Sequence, residues 1–386
     1  MKSLLRDDQK RQQDGHRVAR AALHGPLRWL IQPCHQARGA STAQVCRRPA
    51  RLPLCQFSIV ISMTSSITLA YWADRTVVVT GGNGFLGSKV VAQLRSVGAN
   101  VVAPRQDRSR LTQVGVAEAL FEQHKPSHVI HLAARVGGIG YNQVAPAQLY
   151  LDNLMMGTHT IEAARKVGVE KTVLLGTVCS YPKFTPVPFR EESIWDGYPE
   201  ETNAPYGIAK KAMLIHAQVN EAQYGQQFAF VIPTNLYGPG DKFHESVSHV
   251  IPALIKKCVE AKELGTDKIS VWGTGVASRD YLYAEDAAEA IVLAAELRTT
   301  AEPLNLGNNR EVTIRETAET IARIVGFDGE LVWDSSRPDG QPRRRVDASR
   351  AERELGWHAH TEFEDGLRRT IDWYLANRAI AEQEPR

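Results

Sequence analysis

The sequence predicts an α/β protein: a doubly wound parallel sheet with helices on both faces, extended by a smaller C-terminal lobe. Three observations predict it. Apolar, β-branched runs of strand length recur: TVVVT (76–80), NVVAP (100–104), HVIHLAA (128–134) and KTVLLGT (171–177). Helix-period stretches separate them, beginning with SKVVAQLRSVG (88–98), which Gly98 is placed to end. A glycine-rich turn, GGNGFLG (81–87), stands between the first strand and the first helix. Strands alternating with helices imply parallel pairing, because each crossover must carry the chain back to the starting edge.

The length of 386 residues suits two domains, or one large α/β domain with a lobe. Charge divides the chain unevenly. Residues 1–62 hold eleven Lys or Arg and three Asp, about +8, so the remainder carries about −5 of the net +3. A mildly acidic body gives no reason to expect nucleic acid as a partner. Residues 1–62 are an atypical basic extension, with no Glu and no sustained periodicity. They read either as an Arg-rich, acid-poor targeting peptide or as a non-native extension ahead of a natural start at Met63. Residues 63–240 read as the nucleotide-binding domain. Residues 241–386 read mainly as a substrate-binding lobe interleaved with it.

The apolar run 54–63 is too short to cross a bilayer, and no membrane association is expected. Cysteines at 34, 46, 55, 179 and 258 make neither a metal-binding spacing nor a disulfide framework. We expect no metal and a reducing, cytoplasmic setting.

The turn is the first candidate site. Gly81, Gly84 and Gly87 follow a strand and open a helix, the context in which such spacing points to a dinucleotide. Small residues let the backbone approach a pyrophosphate, and the helix N-terminus supplies N–H groups. The fold expected is therefore Rossmann-type. Gly81, Gly82, Asn83, Gly84, Phe85, Leu86 and Gly87 are the residues expected to line the cofactor. After the second strand comes Arg105, then Asp107, Arg108 and Arg110. An arginine at that strand end suits the 2′-phosphate of NADP(H), and an acid the ribose of NAD. Arg105 favours NADP.

The second site is a pair. In NAPYGIAKK (203–211), Asn203 is a possible cap, and Tyr206 and Lys210 stand at i and i+4 on one helical face. A neighbouring ammonium lowers a phenol's pKa, and the phenol can then pass a proton to a substrate oxygen. Upstream, LLGTVCSYPK (174–183) delivers Thr177 and Cys179 two positions apart at a strand end. On extended backbone they would point the same way.

With these motifs in place, residues 74–375 resemble the extended short-chain dehydrogenase/reductases. The likeness includes TGGNGFLG, HLAA (131–134), PTNLYGPGD (233–241), WGTGVASRDYLYAEDAAEAI (272–291) and RPDGQPRRRVDASRAERELGW (337–357). Dehydratases of that group carry Asp-Glu after the threonine, where this chain has Val178 and Cys179. Cysteine followed by YPK, together with RVGGIGYN (135–142), DNLMMGT (152–158) and SHVIPALIKK (248–257), resembles the GDP-L-fucose synthase family.

The resemblance implies NADPH-dependent 3,5-epimerisation and 4-reduction of GDP-4-keto-6-deoxy-D-mannose. It implies Tyr206, Lys210 and Thr177 for the reduction, Cys179 as the base and His249 as the acid of the epimerisation. It places Pro233, Asn235, Leu236, Lys210 and His249 beside the cofactor. It points to Lys257, Trp272, Arg279 and Asp339 for the GDP-sugar, and to a homodimer built from the helices following DNLMMG and APYG. His244 remains a competitor of His249. Cys258 reads as packing, and Trp272 as either a sugar platform or a core residue. Arg343–Arg345 reads as a solvated charge run. Two alternatives stay open: an epimerase/reductase of another nucleotide-4-keto sugar, and a 4-keto reductase without epimerisation.

Overall fold

Val77, Val78 and Val79 are fully shielded from solvent on both sides of the first strand. Each buried valine contributes roughly 1.5–3 kcal/mol by leaving water, enough to fix this strand inside the sheet. A computed structural model of the chain describes residues 67–105, 110–245, 247–337 and 339–383. The readings of residues 1–62, and of Asp107 and Arg108, lie outside them.

A short helix α1 (Leu69–Trp72) leads into β1 (Thr76–Thr80), and α2 (Phe85–Ser96) into β2 (Asn100–Val102). Then come α3 (Val116–His124), β3 (His128–His131), α4 (Ile139–Val144), α5 (Pro146–Val167), β4 (Lys171–Leu175), α6 (Ala204–Tyr224), β5 (Gln227–Pro233) and β6 (Asn235–Tyr237). The C-terminal part adds α7 (Val250–Leu264), β7 (Lys268–Trp272), β8 (Ser278–Tyr283), α8 (Ala284–Leu297), β9 (Pro303–Leu306), β10 (Glu311–Thr313) and α9 (Ile314–Val325). It closes with β11 (Glu330–Asp334), β12 (Arg343–Arg344), α10 (Ser349–Leu355) and α11 (Phe363–Ala381).

The main sheet has the order β2-β1-β3-β4-β5-β9, with every neighbouring pair parallel. Strand alternation splits its side chains into two layers. Val77, Val79, Val173 and Val231 pack under α2 and α8. On the opposite face Val78 and Val129 meet α3 and α5, and Leu174, Phe228 and Phe230 meet α5 and α6. Helix α8 is alanine-rich and almost wholly buried, so it lies close against α2. Its alanine and aliphatic residues are buried, while Glu285, Glu289 and Glu296 stay partly exposed, so most of the helix belongs inside the protein.

A second core forms from α7, α9 and α11 around β7 and β8. Its frame is a small sheet, β10-β8-β12 with β6 also paired to β8, and a β11-β7 ribbon. The chain enters this core after β6, returns to the main sheet with α8 and β9, and leaves again. Helix α9 starts at a complete capping box, Thr313 with Glu316.

Some boundaries differ from the sequence reading. Helix α2 begins three residues early, at Phe85. DNLMMG lies inside α5 rather than before it, because Pro146 at N1 already starts that helix. Strand β4 stops at Leu175, and residues 178–180 form a single 3-10 turn capped by the Thr177 side chain. Thr177 and Cys179 are therefore not alternate residues of an extended strand.

Candidate functional site: a cleft between a glycine cradle and a cysteine turn

The strand order reverses direction between β1 and β3, and the crevice at their carboxyl ends is where open α/β sheets hold ligands. Gly81 turns the chain there with φ +73. A Cβ on Gly81 would stand 2.7 Å from the Ala133 nitrogen, and one on Gly82 would stand 2.8 Å from Ala103 Cβ. A Cβ on Gly87 would overlap the Gly81 carbonyl oxygen. The turn is bare backbone pressed against its neighbours, with Gly84 capping α2. That is the cradle a dinucleotide pyrophosphate needs.

Asn83 ties the turn to the end of β2 by donating to the carbonyls of Ala103 (3.1 Å) and Pro104 (3.3 Å). Arg105 follows on the surface at that strand end. Phe85 is half-buried and Leu86 belongs to the core, so Leu86 can face a cofactor only through its backbone.

Helix α6 docks on the 3-10 turn at Gly207, where a Cβ would overlap the Cys179 carbonyl oxygen. Ser180 Oγ donates to the Gly207 carbonyl at 3.1 Å. This contact places Tyr206 beside the turn, and its phenol shares a hydrogen bond with Thr177. Thr177 Oγ1 also accepts from the Cys179 nitrogen at 3.2 Å. Asn203 caps α6 by position only; its amide donates to Glu200 and its oxygen accepts from Asn142.

Lys210 is buried one turn on, its ammonium 5.8 Å from the Tyr206 ring centre. Burial lowers its pKa to about 8. The phenol departs from expectation. Burial raises the Tyr206 pKa, any negative charge on the neighbouring sulfur would raise it further, and the Thr177 bond does not offset this, so the phenol keeps its proton at neutral pH. His131 is fully enclosed, bonded through Nδ1 to Thr80 (2.9 Å), and held neutral by burial and by the charge of Lys210. HLAA thus supplies a buried, neutral imidazole.

Cys179 is a free, half-buried thiol. Arg344 Nη1 donates to its sulfur at 3.7 Å. Arg343–Arg345 is therefore not a solvated run, because strand geometry sends alternate residues to opposite sides. Arg343 pairs outward with Glu311, while Arg344 turns in and is only 8% exposed.

His249 caps α7 and is open to solvent from the cleft although protein surrounds it. Its pKa is lowered by burial, then by the charges of Lys242 and Arg344, the latter the cation that contacts Cys179. His244 is half-buried, and its carbonyl accepts from Val247 and Ser248 in the turn before α7.

The remaining residues divide. Arg279 lies next to Arg344 in β-pairing register. It donates to the carbonyls of Ser278 and Gln341 (both 2.7 Å) and Asp339 (3.2 Å). Burial and Arg344 lower its pKa to about 10. Asp339 spends its carboxylate on the nitrogen and hydroxyl of Thr274, so it shapes the loop. Trp272 is 52% exposed under Arg337, a surface platform rather than a core residue.

Lys257 donates to the Ser270 carbonyl at 2.8 Å. Asn235 donates to the Asp280 carbonyl, Pro233 is buried at the end of β5, and Leu236 packs on the core. Cys258 is buried packing, as read. Arg344, Gly207 and Gly138 were missed by the sequence reading. Only alternation within RRR offered a signal for the first.

This fold and cleft define a nucleotide-dependent epimerase or reductase of the extended short-chain class. Residues 77–307 match the NAD dependent epimerase/dehydratase family. The chain is 41% identical over 302 residues to GDP-L-fucose synthase 1 of Arabidopsis thaliana, covering 78% of this chain and 93% of that one. It is 40% identical over 299 residues to GDP-L-fucose synthase of Sinorhizobium fredii, covering 78% and 95%. The crystal structure of a GDP-L-fucose synthetase from Naegleria fowleri bound to NADP superposes with TM-score 0.74 at 30% identity, covering 80% and 95%. The chain belongs to the GDP-L-fucose synthase family, within the NAD dependent epimerases/dehydratases.

Proposed function

We propose that this chain uses NADPH to convert GDP-4-keto-6-deoxy-D-mannose into GDP-L-fucose, inverting C3 and C5 and reducing C4. The observation that carries this reading is the single turn Thr177–Ser180, which holds a hydroxyl bonded to Tyr206 and, two residues on, a thiol. On this reading, a reductive and an epimerising group share one turn.

The C4 ketone acidifies the hydrogens at C3 and C5. Cys179, as the thiolate, takes one such proton to become a thiol, and the C–H bonding pair passes into an enolate whose oxygen faces Thr177 and Tyr206. His249 returns a proton to the opposite face. Each inversion removes one proton and restores one, and both groups reset by exchange with solvent. When bound, NADPH supplies the hydride for C4. Tyr206 supplies the proton to the oxygen, and Lys210 orients the ribose and steadies the phenol. The Gly81–Gly87 turn and Arg105 hold the dinucleotide, with Pro233, Asn235 and Leu236 at its nicotinamide end. Arg279, Lys257, Trp272 and Asp339 form the GDP side, where arginine and lysine suit a pyrophosphate.

We also propose a homodimer through α5 and α6. These helices pack together and leave Leu151, Ile215 and Val219 about half exposed (54%, 45% and 50%). Free Cys179 and Cys258 fit a cytoplasmic setting. Among the described residues no helix is long and apolar enough to cross a membrane.

The test is incubation with NADPH and GDP-4-keto-6-deoxy-D-mannose in D2O, with the product identified by NMR. GDP-L-fucose deuterated at C3 and C5 is expected. A reduced sugar without inversion would keep Tyr206 and Lys210 in their roles and overturn those of Cys179 and His249.

A further inference from the structure

We infer that Arg344 is the charge partner of Cys179: a positioning residue that aims the sulfur and stabilises it whenever it holds negative charge. The inference rests on the proposed role of Cys179. Arg344 is almost fully buried, yet among the described residues it forms no salt bridge. Buried arginines ordinarily face a carboxylate, because an uncompensated charge in the interior is costly. Here one guanidinium nitrogen points at the Cys179 sulfur, 3.7 Å away. Another donates to Gln341 Oε1 at 3.1 Å.

The placement is built, not incidental. Gln341 in turn donates to the Lys183 carbonyl at 3.1 Å, a few residues along from Cys179. Sulfur, guanidinium, amide and backbone thereby form one braced ring. The strand carrying Arg344 is held from both sides. It pairs with β8 on one side. On the other, Phe189 donates to the Arg345 carbonyl and Asp347 to the Phe189 carbonyl, each at 2.8 Å.

The pairing sets Arg344 directly opposite Arg279, two like charges side by side. Such a pair is unfavourable by itself. It is relieved when negative charge lies next to it, as on a sulfur that has released its proton.

The experiment uses the full chain carrying Arg344→Gln, Arg344→Lys or Cys179→Ser. The first readout needs no turnover: the rate of Cys179 alkylation by iodoacetamide between pH 6 and 9, located by peptide mass spectrometry. Arg344→Gln is expected to slow it about tenfold at pH 7, since a lost cationic neighbour reduces the reactive anion. Arg344→Lys is expected to restore part of the rate. It also keeps the charge, so it stands in if Arg344→Gln does not fold. The second readout is deuterium incorporation at C3 of the ketone sugar, expected to fall in step with alkylation.

Alkylation equal in the parent and in every Arg344 variant that folds overturns the inference. If alkylation slows but Cys179→Ser leaves deuterium incorporation intact, Arg344 still governs the thiol, and the proposed role of Cys179 is what fails. If Cys179→Ser abolishes incorporation while Arg344→Gln changes neither readout, the role of Cys179 stands and the partnership falls.

Discussion

Gly138 lies backbone to backbone against Ser248: a methyl group on Gly138 would stand 2.9 Å from the Ser248 carbonyl oxygen. Ser248 immediately precedes His249, the cap of α7. The φ of −69 at Gly138 suits any residue, so alanine adds bulk there without backbone strain. Gly138→Ala should push the His249 segment outward by a few tenths of an ångström. Deuterium incorporation at C3 and C5 is expected to fall about tenfold, since small misplacements cost heavily in catalysis. Cofactor-dependent reduction should change far less. Equal losses in both would show that the contact does not act through His249.

Gly207 and Cys179 meet in the same manner, at the joint between α6 and the 3-10 turn. Backbone stands on both sides of this joint, so neither can yield as a flexible side chain would. Gly207→Ala should cost about 1–3 kcal/mol of stability, the usual penalty for overpacking. It should impair inversion and reduction together, because it parts Tyr206 from Thr177 and Cys179 at once. Urea unfolding and the two activity assays measure this. A stable variant with full activity would overturn the joint's assigned role.

Much of this was legible in the sequence, and the reasons are physical. The parallel sheet follows from apolar strand runs split by helical stretches, and the Gly81–Gly87 cradle from glycines in a strand-to-helix context. Tyr206 and Lys210 share a face by helical spacing alone. Other features depend on contacts distant in sequence. The sign of the Tyr206 shift is set by burial, which a helical spacing does not report. Arg344 reaches Cys179 across 165 positions of chain. Thr177 and Cys179 come together by a capped turn rather than strand alternation, because Thr177 offers its oxygen to the next free N–H.

Lys210 carries the clearest pH signature. Its folded pKa is about 8, below the ordinary 10.5, and burial is the cause. Between these values the unfolded chain binds more protons than the folded one, so this group makes stability rise with pH across that window. Below pH 8 the folded protein bears the cost of a buried ammonium. Lys210→Met should therefore raise Tm at pH 7 by a few degrees and flatten the rise between pH 8 and 10.5. Reduction should drop by about a hundredfold or more. In the parent protein, kcat/KM for reduction should decline as pH climbs through about 8. A Tm for Lys210→Met at or below the parent value at pH 7 would contradict the burial argument.

The exposed face of α5 and α6 tests the proposed homodimer. Ile215 and Val219 are spaced four residues apart on α6, so they project from one face. Two glutamates there would place like charges against their copies across a two-fold axis, while an isolated protomer would keep them in water. The double variant Ile215→Glu/Val219→Glu should halve the mass seen by light scattering at micromolar concentration. Its helical circular dichroism should stay unchanged, because neither side chain contributes to the buried core. Since α6 also carries Tyr206 and Lys210, loss of the partner should weaken turnover several-fold without abolishing it. A parent protein that already runs as a monomer, or a variant that keeps the parent mass, would remove this face from the assembly.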